Sequence, residues 1–104
     1  MIQMAEMIFE GFNEVTDKMF GKTVFMRFCG TIREQRVLEN FECAEHVEGT
    51  GYFLGSNDEE DLDVFIEKSN IKSIYDECED DGTGLTEVKI CFLNGDILSL
   101  ICDI

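Results

Sequence analysis

The stretch LTEVKICFLNGDILSLICDI, residues 85–104, decides the fold class. Two runs rich in apolar and β-branched residues flank Asn94-Gly95. An Asn-Gly pair in that setting is the strongest short-range signal for a β-hairpin, because both central residues of its tight turn need positive φ. A two-residue turn would set Phe92 opposite Ile97, Ile90 opposite Ser99 and Val88 opposite Ile101, all on one apolar face. Cys91–Leu98 and Lys89–Leu100 would form the other face, which is also partly apolar. A hairpin apolar on both sides belongs inside a sheet or barrel, or against another chain.

Working back along the chain, more strands appear. LDVFIE, 62–67, alternates with Leu62, Val64 and Ile66 on one face and Phe65 on the other. IKSIYDE, 71–77, follows a Ser69-Asn70 turn, and Tyr52-Phe53-Leu54 is a short apolar run between glycines. SNDEED, 56–61, reads as a polar loop. Residues 32–47 form a long segment whose alternation slips near Asn40, which predicts a bend or bulge there. In KTVFMRFC, 22–29, Val24, Met26 and Phe28 share a face. Residues 2–19 carry a helical stripe: Met1, Met4, Ile8, Phe12, Val15 and Met19 recur at steps of three or four. Gly21 is a natural helix stop. The reading is a single α+β domain, 1–104, mainly β. An N-terminal helix leads into a strongly bent antiparallel sheet or small barrel of about seven strands, ending in the hairpin.

The leading helix, then GKTVFMRFCG at 21–30 and VFIEKSNIKSI at 64–74, resembles the layout of Sm-like and related SH3-like small barrels over about residues 8–75. The resemblance implies architecture and ring-type assembly. The RNA-binding loop elements of that family are not intact: Glu67-Lys68-Ser69-Asn70 stands where its Arg-Gly-x-Asn element would lie. No functional residue carries over.

Charge sets the chemistry. Twenty-three acids face eight bases, for a formal net charge of −15. Such a chain is repelled by nucleic acid and anionic lipid and attracted to basic proteins and cations. The acids concentrate: residues 56–81 hold eleven, against Lys68 and Lys72 alone. No stretch approaches the length of a membrane span, and MIQMAEMIFEGF lacks the basic region of a signal peptide. Five cysteines without close pairs read as reduced thiols, so the expected location is cytoplasmic.

Catalytic and metal motifs fail on spacing. A calcium loop begun at Glu77 would need a glutamate at position 88, which is Val88. Gly21-Lys22-Thr23 has Thr16 where a phosphate-binding loop needs glycine, and its flanking elements are reversed. Cys43 and His46 make half a zinc site with no second half. His46 reads as a surface hydrogen-bonding residue beside Glu42 or Glu45. Cys29, Cys91 and Cys102 read as small core residues, and the negative field opposes thiolate formation. The chain is expected to be a non-enzyme without cofactor.

The field itself remains, either as a solubilising surface or as carboxylates spaced like phosphates on a stiff scaffold. The second option predicts a small acidic protein that inhibits a basic, nucleic-acid-binding partner by nucleic-acid mimicry. The setting by analogy of size and charge is an anti-CRISPR-like phage inhibitor of a host defence nuclease. Its expected contacts are Asp58, Glu59, Glu60, Asp61, Asp63, Asp76, Glu77, Glu79, Asp80 and Asp81, with Phe53 and Tyr75 as aromatic anchors. The alternatives are an Sm-like module forming homo-oligomers and a protein that sequesters a small ligand.

Overall fold

A computed structural model describes residues 2–6, 8–31, 33–56, 59–79 and 85–103; of 2–5, 59–63 and 77–79 it describes the backbone alone. The elements run β1 (Ile2–Glu6), α1 (Phe9–Met19), β2 (Val24–Cys29), β3 (Glu34–Leu38), β4 (Phe41–Glu45), β5 (Gly51–Ser56), β6 (Glu59–Glu67), a 3-10 turn (Lys68–Asn70), β7 (Ile71–Glu79), β8 (Leu85–Phe92) and β9 (Ile97–Asp103). The α+β, mainly β class holds. The strands form two antiparallel sheets rather than a closed barrel, one in the order β1-β7-β8-β9-β2-β3 and the other β4-β5-β6.

The helix is shorter than its stripe predicts. Residues 2–6 form a strand that pairs with β7, from Ile2 opposite Glu79 to Glu6 opposite Tyr75. Without β1, β7 would be an open edge, and backbone pairing there overrides a weak local helical preference. The remaining helix buries Phe12, Thr16 and Met19, one face at helical spacing. Thr16 Oγ1 returns a hydrogen bond to Phe12 O at 3.0 Å, so the hydroxyl is satisfied inside the apolar face. The helix ends at Gly21 with φ +77°, whose N–H donates to Phe41 O at 2.9 Å. Phe41 N–H in turn donates to Lys22 O, also at 2.9 Å, and the helix exit is thereby tied to the start of β4.

The slip at Asn40 is a corner between sheets. Asn40 adopts φ +53°, a left-handed conformation that asparagine tolerates better than most residues. Leu38 before it is fully buried on the six-stranded sheet, and Phe41 after it is fully buried on the three-stranded one. A single continuous strand would place those two residues, three apart, on opposite faces. The corner lets both point into one core. That core also takes Val24 and Met26 of β2, Leu54 of β5, Ile74 of β7, Val88 and Ile90 of β8, and Leu98 and Leu100 of β9.

The C-terminal hairpin forms with a different register. Ile90 pairs with Leu98 and Val88 with Leu100. The turn is longer than two residues: Phe92 N–H donates to Asp96 O and Gly95 N–H to Phe92 O, with Gly95 at φ +95° and Asn94 not in the left-handed region. This is a type I turn closed by a glycine bulge, the three-residue alternative to the expected turn. One residue of slip flips every side chain. Leu98 and Leu100 therefore join Val88 and Ile90 on the inner face, and Ile97 joins Cys91 on the outer one, both half-buried; Cys29 is exposed, and of the three cysteines read as core only Cys102 is buried. The expected loop at 56–61 is also shortened, since Glu59–Asp61 already belong to β6. Val64 and Ile66 face inward from that strand and Phe65 outward, as the alternation predicts.

Candidate functional site

The acid-rich segments lie on strands for most of their length. Glu59, Glu60, Asp61 and Asp63 belong to β6, and Asp76, Glu77 and Glu79 to β7. Asp58, Asp80 and Asp81 fall outside the described residues. The two strands belong to different sheets, so the expected contacts divide into two groups. Asp76 is half-buried opposite Val88, and its Oδ1 is buried with no hydrogen-bond partner among the described residues. Tyr75, also half-buried, stands between Glu6 and Lys89. It is therefore not beside Phe53, which lies on β5 in the other sheet.

Phe53 has different company. Its ring lies 4.8 Å from that of Phe65 on β6, its cross-strand partner. His46 sits 5.9 Å from Phe53 and 6.0 Å from Phe65. The two phenylalanines remain 38% and 40% exposed, so this aromatic patch reaches solvent. Gly51 makes the packing possible, because a Cβ there would overlap Ile66 O and come within 2.8 Å of the Phe65 ring. His46 Nδ1 accepts the backbone N–H of Glu48 at 3.1 Å, rather than pairing with Glu42 or Glu45 as the sequence suggests.

Beside the patch runs a groove of about 440 Å³ between β6 and the β8–β9 turn. Its floor is apolar: Phe28 of β2, Val64 and Ile66 of β6, Phe92 and Leu98. Its rim is polar: Glu67, Asn70, Asn94 and Asp96. Among the described residues that line it there are two carboxylates and no Lys or Arg. The turn is held against the 3-10 corner by Leu93 N–H donating to Asn70 O at 2.9 Å. Asp96 is fixed on both oxygens: Oδ1 accepts Thr31 N–H at 3.1 Å, and Oδ2 accepts Asn94 Nδ2 at 3.1 Å. A carboxylate so held keeps its place without spending rotamer freedom on binding.

The nearest cation is already engaged. Lys68 Nζ lies 3.1 Å from Glu45 Oε2 and sits 4.9 Å and 5.2 Å above the rings of Phe9 and Tyr52. The charged groups described on the rim of the groove are the carboxylates of Glu67 and Asp96. β6 also ends its sheet, so among the described residues no further strand pairs along its other edge.

Comparison of the chain with protein-family models, curated proteins and solved structures finds no match. Burial pushes the Cys43 thiol up to about 11, with the carboxylates of Asp17 and Glu45 adding to the rise against a hydrogen bond from Thr16. Among the described residues no group of three His, Cys, Asp or Glu side chains converges as a metal site. No described helix is long and apolar enough to cross a membrane.

Of the groove and patch, sequence reasoning found Phe53 and missed Phe65, Glu67, Asn70, Asn94, Asp96 and His46 as members. Phe65 carried a usable signal, an outward aromatic beside acids on one strand. Asp96 carried none, because its role depends on a contact with Thr31, 65 residues away.

Proposed function

We propose that this chain is a non-catalytic binding protein whose acidic edge receives a basic macromolecule, and that it competes there with nucleic acid. One observation carries the reading. The acid-rich stretch occupies an open edge strand flanked by an exposed aromatic pair and by a groove with an apolar floor, an acidic rim and no base. Steering comes from the field, and specificity comes from the groove and rings, on which arginine stacks well. An inhibitor of a nucleic-acid-binding enzyme, such as a defence nuclease, is the biological role this chemistry fits.

The test is capture from a cell lysate on immobilised protein at stepped salt, followed by challenge of the retained proteins with duplex DNA. The expected result is retention of basic proteins that DNA displaces and that the variant Glu59→Lys/Glu60→Lys/Asp61→Lys/Asp63→Lys fails to retain. Equal retention by a folded charge-reversed variant contradicts the reading.

A second reading draws on the groove alone. A volume of about 440 Å³ with an apolar floor and two carboxylates suits a small cationic ligand with a hydrophobic body. Native mass spectrometry of the purified protein distinguishes it by a co-purified mass that Leu98→Trp, which fills the floor, removes.

A further inference from the structure

The free edge of β6 has a definite hydrogen-bonding pattern. Lys68 N–H donates to Thr50 O at 2.9 Å, and the register runs on with Glu67 opposite Gly51, Ile66 opposite Tyr52, Phe65 opposite Phe53 and Val64 opposite Leu54. In an antiparallel ladder, residues that exchange backbone bonds alternate with residues that do not. Lys68, Ile66 and Val64 therefore bond to β5, while the N–H and C=O of Phe65 and the N–H of Glu67 point off the opposite edge. Among the described residues these three groups have no hydrogen-bond partner. The groove lies along this edge, since Val64, Phe65, Ile66 and Glu67 line it in succession. Edge strands are commonly blunted by proline, lysine or a bulge. Residues 64–67 contain neither residue, and the irregularity between β5 and β6 lies farther back, between Leu54 and Ser56.

We propose that β6 receives an extended segment of a partner as an added strand at Phe65 and Glu67, and that this segment alternates basic and apolar residues. The inference rests on the reading that this edge binds a basic macromolecule, and it names how that molecule is held. A residue opposite Phe65 exchanges two backbone bonds with it, and the next on the same side accepts a third from Glu67 N–H. Side chains of an added strand follow the pleat of the strand they join. Those opposite Phe65 and Glu67 therefore lie beside the Phe53–Phe65 rings and the Glu67 carboxylate. Arginine suits both places, because its planar cation stacks on rings and pairs with carboxylates. The side chain between them, opposite Ile66, turns inward over Phe28, Phe92 and Leu98, where valine or isoleucine suits the apolar floor. Asp96 puts a second carboxylate on the rim and no described base opposes it, so the groove favours a positive segment. Main-chain bonds supply affinity in this mode and alternate side chains supply specificity.

Three short capped peptides test the arrangement: one alternating arginine and valine, the same sequence N-methylated at its arginines, and the same sequence N-methylated at its valines. N-methylation removes backbone donors and leaves the charges and side chains in place. With arginine opposite Phe65, the arginine N–H groups face β6 and the valine N–H groups face away. In calorimetric titration the arginine-methylated peptide is expected to bind about 10-fold or more weakly than the parent, through the lost ladder bonds, and the valine-methylated one to match the parent. Amide exchange followed by NMR gives the second readout. In the free protein Phe65 and Glu67 are expected to exchange faster than Val64 and Ile66, and the parent peptide to slow both. Equal binding by all three peptides, with Phe65 and Glu67 left unprotected, overturns the added strand and leaves the basic-partner reading standing. No binding by any of them overturns both. Slow exchange of Phe65 and Glu67 that grows with protein concentration in the absence of peptide overturns the proposal in favour of a second copy of this chain on the edge.

Discussion

Phe53 and Phe65 face each other across β5 and β6 with ring centroids 4.8 Å apart, and 38% and 40% of their surfaces stay exposed. Two large rings left partly in solvent, one of them on the acid-rich strand, are good provision for binding. Replacing either by alanine is expected to cost stability little, about 0.5–1.5 kcal/mol for the lost ring pair. The same change is expected to weaken an arginine-rich peptide by about 1–2 kcal/mol, roughly 5- to 30-fold, as for a central interface residue. Urea unfolding and calorimetric titration measure the two effects separately. A large stability loss with unchanged binding would assign the rings to the core instead.

Gly51 is the device that admits the Phe65 ring. Gly51→Ala places a methyl group against Ile66 O and the ring, and backbone cannot yield as a flexible side chain can. An overpacking cost of about 1–3 kcal/mol is expected. The shift should be largest for the amides of Phe65 and Ile66 in a two-dimensional NMR spectrum.

Asn40 sets the corner between the sheets at φ +53°. Asn40→Val forces a β-branched residue into the left-handed region and is expected to cost about 1–2 kcal/mol. Asn40→Gly is expected to be tolerated. Thermal unfolding of the two variants side by side gives the contrast, and equal melting would show that the corner does not depend on that conformation.

Alkaline pH should weaken the fold. Burial raises the Tyr52 phenol to about 12 from an ordinary value of 10, and the Cys43 thiol to about 11 from 9. A group whose folded value is raised gives stability that is complete below its unfolded value and is lost as pH climbs to the folded one. The loss therefore begins near pH 9 with Cys43 and continues to about 12 with Tyr52. Urea midpoints taken from pH 8 upward should fall across that window, and less steeply in Cys43→Ala. In labelling at pH 8, the exposed Cys29 should react well before Cys43.

Where the chain states local rules, the fold was legible. The Asn40 slip, the inward Val64 and Ile66 and the Asn94-Gly95 turn each sit where the pattern of residues puts them. What failed was decided at a distance. The helical stripe continues through Met4, yet β7 claims residues 2–6 as a sheet neighbour. The hairpin turn was identified, but Asn-Gly also fits a bulged three-residue loop, and that one-residue difference moved Ile97 to the outer face and Leu98 and Leu100 to the inner one. The groove was invisible for the same reason. Glu67 and Asp96 share a rim only because the 3-10 corner is bonded to the hairpin turn through Asn70 and Leu93.

A basic ligand should land at one edge of the molecule, along β5 and β6. Titration of isotope-labelled protein with a short oligo-arginine peptide, followed residue by residue by NMR, answers this directly. The expected result is a single cluster of shifted amides along β5 and β6 and around Glu67, Asn70, Asn94 and Asp96. Shifts spread in proportion over Glu10, Glu14, Glu42 and Glu48 as well would contradict it, because they would mean a diffuse acidic surface with no docking edge.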